Sequence, residues 1–206
     1  MGTLSTELVG RRERKKQLQR DRICDEAMQL IGLHGVEGTT IDAICDCADI
    51  AKKTFYNYYC SKHDLLSDIC QSKLLNQTAI LVDEALMQSD DLAVQLDYVF
   101  AVMASRNRQA GKLERELIDY MVGNLSSNRA EGAGQLSFMN DYFLRLFSAS
   151  NEHLKEGLTA DFCAEMLVGM VNAVTLNWLN NEDYNTQQKY RQLQRYAKES
   201  FLKNAG

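Results

Sequence analysis

Residues 39–66 read TTIDAICDCADIAKKTFYNYYCSKHDLL, and their spacing decides the fold. Ile41, Ile44, Cys45 and Ala48 recur at helical intervals and give one apolar face to a helix of about two turns. Thr39 with Asp42 has the spacing of a capping box and opens that helix. Asp49 and Ile50 make a tight break. A further helix runs from Ala51 to about Tyr59, with Phe55 and Tyr59 facing inward. Ser61 with Asp64 repeats the capping spacing and starts the next helix, expected to reach about Met87.

Before this stretch, residues 11–34 form a longer helix with Ile23, Ala27, Leu30 and Ile31 on one stripe, stopped by Gly35. Two short helices joined by a tight turn and packed on a longer one make a helix-turn-helix. The outer face of the last short helix carries Lys52, Lys53, Tyr56 and Asn57 and no carboxylate. Lysines neutralise phosphates, Tyr and Thr hydroxyls bond phosphate oxygens, and Asn can read an adenine edge. An ordinary solvated helix would mix in Glu or Asp, so this face points to DNA.

Composition agrees. The chain has 206 residues, 45% of them apolar, which is enough for a packed core. Proline is absent, as suits long helices joined by short polar turns. The net charge is −5, but it is unevenly spread. Residues 1–62 carry ten Lys/Arg against nine Asp/Glu, and the remainder thirteen against nineteen. Seven of the twelve residues from Arg11 to Arg22 are basic, as expected of a chain with one DNA-facing end. The basic run 11–16 reads equally as a phosphate contact or as a solvated tail. No window approaches 18 uncharged apolar residues and no signal-peptide core follows the basic run, so a cytoplasmic protein without a membrane span is expected. The six cysteines read as free thiols.

These motifs, colinear over about residues 15–70, resemble the TetR family of transcriptional regulators. The stretch Thr39–Ile44 resembles that family's second helix, 51–59 its recognition helix, and 61–66 the start of its fourth. The resemblance implies that Thr40 contacts a phosphate, that Lys53, Thr54, Tyr56 and Asn57 lie against the major groove, and that Tyr58 and Lys62 hold the flanking backbone. It implies an all-α fold with a three-helix helix-turn-helix domain, 1–62, and a larger helical ligand-binding and dimerisation domain, 63–206. Three positions depart from the family pattern: Asp49 stands where Gly is usual, Ala51 where Ser or Thr is, and Cys60 where Pro is. Asp tolerates the left-handed conformation, and Ala51 lacks a capping oxygen.

Beyond 87 the chain carries no local motif but still reads as helices: 90–106, 112–125, 135–153, 161–179 and 187–202, with 124–134 as the expected loop. The segment 161–179 is apolar over most of its circumference and needs burial on more than one side. Under the resemblance, the last two helices pair with their copies in a homodimer. The middle helices would surround a small-molecule effector, with Met103, Tyr120, Phe138, Phe143, Phe147, Met166, Met170 and Trp178 as candidate contacts. Each of these reads more readily as plain core than as a ligand contact. The expected output is repression of double-stranded operator DNA, relieved by the effector.

No zinc spacing, phosphate loop, dinucleotide motif or nucleophile elbow is present, so neither a metal, a cofactor nor an enzymatic reaction is expected. Cys45 and Cys47 point to nearly opposite helix faces and cannot share a ligand. The competing reading is a protein of the same shape that acts on a partner protein instead of DNA.

Overall fold

A computed structural model describes residues 3–127 and 129–203, with side chains over 10–123 and 133–203. The described residues form ten α-helices: α1 Thr3–Gly38, α2 Ile41–Cys47, α3 Lys52–Tyr56, α4 Lys62–Cys70, α5 Asn76–Gln88, α6 Leu92–Gln109, α7 Lys112–Ser127, α8 Arg129–Ala149, α9 Ala160–Asn180 and α10 Thr186–Phe201. A π-helical turn, Gln71–Leu75, joins α4 to α5 where one expected helix ran through. The chain divides into two compact units. One holds the residues up to Cys70 with Gly111–Leu117, and the other holds Gln71–Ala110 with the residues from Ile118 onward. The division therefore falls beyond position 62, because α4 buries Leu65, Leu66, Ile69 and Cys70.

In the first unit the α1 stripe is the core. Ile23, Ala27 and Ile31 are fully buried. α1 breaks at Gly35, whose φ of 78° suits glycine. The space there is closed as well: a Cβ on Gly35 would lie 2.9 Å from Glu116 Oε2. That carboxylate accepts the Val36 N–H at 2.8 Å, and Lys112 Nζ donates to the Leu33 carbonyl at 2.6 Å. The first turns of α7 thus clasp the end of α1.

The cap of α2 is Thr40 rather than Thr39. Thr40 Oγ1 accepts the Ala43 N–H at 3.1 Å, while buried Thr39 donates its hydroxyl to the Gly35 carbonyl at 2.8 Å. Thr39 is drawn inward by the break at Gly35, which leaves its neighbour to serve the helix end. At α4 the expected pairing holds: Asp64 N–H donates to Ser61 Oγ at 3.0 Å, and Cys60 N–H to Asp64 Oδ2 at 2.9 Å.

In the second unit α5, α6, α8, α9 and α10 share one core, including Leu81, Leu96, Phe100, Phe143, Phe147, Leu167 and Phe201. The Phe147 and Phe201 rings meet edge-on at 5.7 Å. Asp97 of α6 takes Lys198 Nζ and Gln194 Nε2 of α10 at 2.8 and 2.7 Å. Within the loop expected at 124–134, the described residues 124–127 and 129–134 are helical instead, since α7 runs to Ser127 and α8 starts at Arg129. Ala130, Glu131, Ala133 and Gln135 are strong helix formers and outweigh the interspersed Ser, Asn and Gly.

α9 is long and apolar enough to cross a membrane by length and composition alone, with a mean hydropathy of 1.3. Here it packs on α8 and α10. It is not buried all round. Phe162, Met166, Gly169, Ala173 and Leu176 form an exposed stripe at intervals of three and four.

Candidate nucleic-acid interface

The turn between α2 and α3 is made by Asp49, whose φ of 51° is the only positive value among the described non-glycine residues. Its short side chain makes that conformation tolerable where glycine would otherwise stand. Ile50 N–H closes the turn on the Cys45 carbonyl at 3.0 Å. α3 then starts at Ala51 without a side-chain cap; the Ala51 carbonyl accepts from Thr54 and Phe55 N–H at 2.8 and 3.2 Å.

α3 is shorter than its sequence pattern suggests. It ends at Tyr56, and Asn57, Tyr58 and Tyr59 continue as a tight turn that donates to Thr54 and Phe55 carbonyls at 2.9–3.1 Å. Phe55 is fully buried and anchors the element, with Tyr56 edge-on at 5.6 Å and Tyr59 tilted at 5.9 Å. Lys52, Lys53, Tyr56 and Asn57 are exposed, Tyr56 at 52%, and Thr54 and Tyr58 are half-buried. A buried ring therefore backs a face of cation, phenol and amide groups.

Two assigned lysines have partners within the chain. Lys52 pairs with Asp42 of α2, and this hydrogen bond raises its pKa. Both side chains are more than 60% exposed, so a phosphate can displace Asp42 at little cost. Lys62 donates to the Val36 carbonyl and closes the end of α1, which leaves two N–H groups for another acceptor. Among the described residues no carboxylate pairs with Lys53. Thr40, the exposed cap of α2, keeps its hydroxyl proton for an acceptor while its oxygen serves Ala43.

A polar buttress behind α3 has no local sequence signal. Tyr59 donates to Asp68 Oδ2 at 2.6 Å, and Arg20 grips the same carboxylate at 2.7 and 3.0 Å. Arg20 Nε also donates to the Tyr59 oxygen at 3.1 Å. Burial, and then the bond to Asp68, pushes the Tyr59 phenol up, so it stays a donor. The turn after α3 is thereby tied to α1 and α4. Arg20 reads in the sequence only as part of a basic run, and Asp68 as a surface acid.

The effector candidates lie in the second unit. Phe143 and Phe147 are fully buried, Trp178 is buried, and Met103 and Met170 pack against the core. The Phe138 and Tyr142 rings meet at 4.8 Å, tilted by 57°, and Tyr120 is half-buried on α7. Met166 is 40% exposed and belongs to the outer stripe of α9, because its helical phase matches Phe162 and Gly169.

Cys45, Cys70 and Cys163 are buried, and Cys47 and Cys60 are exposed. Burial pushes the Cys70 thiol up to about 12. Iodoacetamide at neutral pH is expected to alkylate Cys47 and Cys60 first and to spare the three buried thiols, read by peptide mass mapping. Early alkylation of Cys45 would contradict the packing of α2. Among the described residues no group of three or more His, Cys, Asp or Glu is placed to hold a metal ion.

Residues 23–69 match the family model for bacterial regulatory proteins, tetR family. The chain is 24% identical over 177 residues to the fatty acid metabolism regulator protein of Bacillus subtilis, covering 84% of this chain and 88% of the relative. Its fold is similar to that of Thermus thermophilus FadR, a transcriptional repressor crystallised with lauroyl-CoA. That match has a TM-score of 0.71 at 22% identity and covers 91% and 97% of the two chains. SmeT, repressor of the Stenotrophomonas maltophilia efflux pump SmeDEF, matches with a TM-score of 0.71 at 18% identity over 90% and 91%.

Proposed function

We propose that this chain, whose residues 23–69 match the family model for bacterial regulatory proteins, tetR family, is a cytoplasmic repressor of that family that binds operator DNA as a homodimer and is released by a small molecule. The exposed Lys53–Tyr56–Asn57 face of α3, backed by buried Phe55, carries this reading. Lys53 supplies charge for the backbone, and the Asn57 amide can pair with the N6 and N7 of an adenine. Thr54 and Tyr56 add hydroxyls in the same groove. Thr40, Tyr58, Lys52 and Lys62 border this face and suit phosphate contacts, Lys52 once it has left Asp42. The reading contains no chemical step on a substrate.

The exposed stripe of α9 supports the homodimer. Nothing lies within 4 Å of where a Cβ would stand on Gly169, and Ala173 is equally open. Small residues there let a second copy of α9 approach closely, with Phe162, Met166 and Leu176 covered at the same time. α10, with Tyr196 at 58% exposure, extends that face. A two-fold axis through both helices is the simplest closed arrangement. Ala173→Arg is expected to give a folded monomer by light scattering, with unchanged helicity. A dimer that persists would place the interface elsewhere.

The effector reading rests on the apolar and aromatic side chains of Met103, Tyr120, Phe138, Phe143, Phe147, Met170 and Trp178 in the second unit, which suit a molecule with an apolar body. Similarity to a repressor crystallised with lauroyl-CoA supports the same class. Release follows by population shift, in which the effector favours a conformer whose α3 copies no longer match adjacent major grooves, spaced about 34–36 Å. The function is tested by passing a genomic fragment pool over the full-length protein. A few fragments are expected to be retained, with affinity falling steeply with salt. Retention of none would overturn the proposal.

A further inference from the structure

The basic run is part of a helix, not a tail. α1 extends through it back to Thr3, so the order of its charges becomes a geometry. At about 100° per residue, positions 12, 15, 16 and 19 share one face of α1. Arg12, Lys15, Lys16 and Gln19 do line one side of a groove, with Glu13 beside them. The opposite side is Thr54, Asn57 and Tyr58, the end of α3 and the turn that follows it. Arg14 lies outside the groove, about 150° round the helix from the centre of that face.

The chemistry of the lining is that of a polyanion site. Three cations stand against one carboxylate, and the facing wall offers two hydroxyls and an amide as donors. The exposed basic side chains can reach more than one phosphate along a strand. Resting on the reading of α3 as the DNA-facing element, we propose that this groove seats the sugar–phosphate strand bordering the major groove that α3 enters. Arg12, Lys15 and Lys16 each neutralise a phosphate. Thr54 and Tyr58 then serve the backbone from the other wall, and Asn57 is left at the junction between strand and base edges. Contacts of this kind fix register and add affinity without adding sequence preference.

The test uses the full-length protein and a duplex recovered from the genomic pool, with a scrambled duplex of equal length beside it. Binding is followed against salt for wild type, Arg12→Ala/Lys15→Ala/Lys16→Ala, Lys15→Ala and Arg14→Ala. Alanine at these exposed helical positions preserves the helix, which melting curves check. Each phosphate that is no longer neutralised lowers the slope of log K on log salt by about 0.9, so the slope of the triple variant should fall by about 2.7 per subunit, which is about 5.4 for the dimer on its duplex. The response of the dimer to a rise from 50 to 200 mM salt then shrinks by about 1,800-fold relative to wild type, about 40-fold for each subunit. Lys15→Ala should give up about one phosphate per subunit and Arg14→Ala almost none. The preference for the selected over the scrambled duplex should stay unchanged in every variant. A triple variant with the wild-type slope, or an Arg14→Ala effect equal to that of Lys15→Ala, overturns the groove while leaving α3 as the reader. A wild-type protein that retains no duplex overturns both.

Discussion

The triple variant Lys53→Ala/Tyr56→Ala/Asn57→Ala is expected to fold as wild type and to lose specific DNA binding. All three side chains are exposed on the outer face of α3 and its C-cap; Tyr56→Ala gives up one edge contact with the Phe55 ring, which stays buried in its unit against Tyr59. Alanine is also the best helix former, which favours a short helix that lacks a cap. The losses fall on the DNA side. An Asn–adenine pair contributes about 1–3 kcal/mol of discrimination. A hydroxyl bond adds about 1 kcal/mol. Without Lys53 one backbone phosphate per subunit also goes unneutralised, and a combined deficit of roughly 3–6 kcal/mol per subunit means a drop of at least about 10²- to 10⁴-fold for the dimer. Anisotropy titration of a selected duplex reads the affinity, and circular dichroism reads the fold. A loss under about threefold with an unchanged melt would remove α3 from the interface.

Phe55→Ala should have the largest effect on stability. Its ring is fully buried between two tyrosines and is the one phenylalanine of its unit. Truncating a buried Phe costs about 3–5 kcal/mol in lost transfer energy and cavity formation. That is a large part of the about 5–15 kcal/mol that holds a domain together. The second unit keeps its own core, so its helices should survive while the first unit opens. The expected result is an early melting transition with partial loss of helicity. Trypsin should then cut at Lys52, Lys53 and Lys62, sites that α2, α3 and α4 otherwise hold in ordered backbone. A single wild-type transition would show that Phe55 is not the anchor of this unit.

The parts of this architecture that could be read in advance rest on contacts between near neighbours. Asp49 announces a left-handed turn, the four-residue spacing of Phe55 and Tyr59 gives the inward face, and Ser61 with Asp64 gives the start of α4. Each signal spans a few residues, and the local backbone obeys it. The errors arise where a break in the backbone or a distant group intervenes. Thr39 leaves its expected cap because Gly35 takes its hydroxyl. Lys52 and Asp42 are ten positions apart and meet because the α2–α3 turn folds them together. Glu116 seals Gly35 and Val36 from eighty residues downstream, and no periodicity reveals that. Tyr59 shows the two kinds of information in one residue: its burial follows from spacing, whereas the Arg20–Asp68 clasp on its hydroxyl does not. In the second unit, helical phase separates core from surface only after the neighbours of α9 are known. For that reason Met166 reads as interior in the sequence and stands on the outer stripe in the structure.

The central claim is that two copies of α3 read neighbouring major grooves of one duplex. Methylation interference at guanine N7 on a duplex selected by the protein tests it most directly, because N7 lies on the major-groove edge. The account predicts two windows of interference on the same face, centred about 10–10.5 base pairs apart or at a multiple of that, each abolished by Asn57→Ala and Lys53→Ala. A single window, or interference that ignores both substitutions, would contradict it.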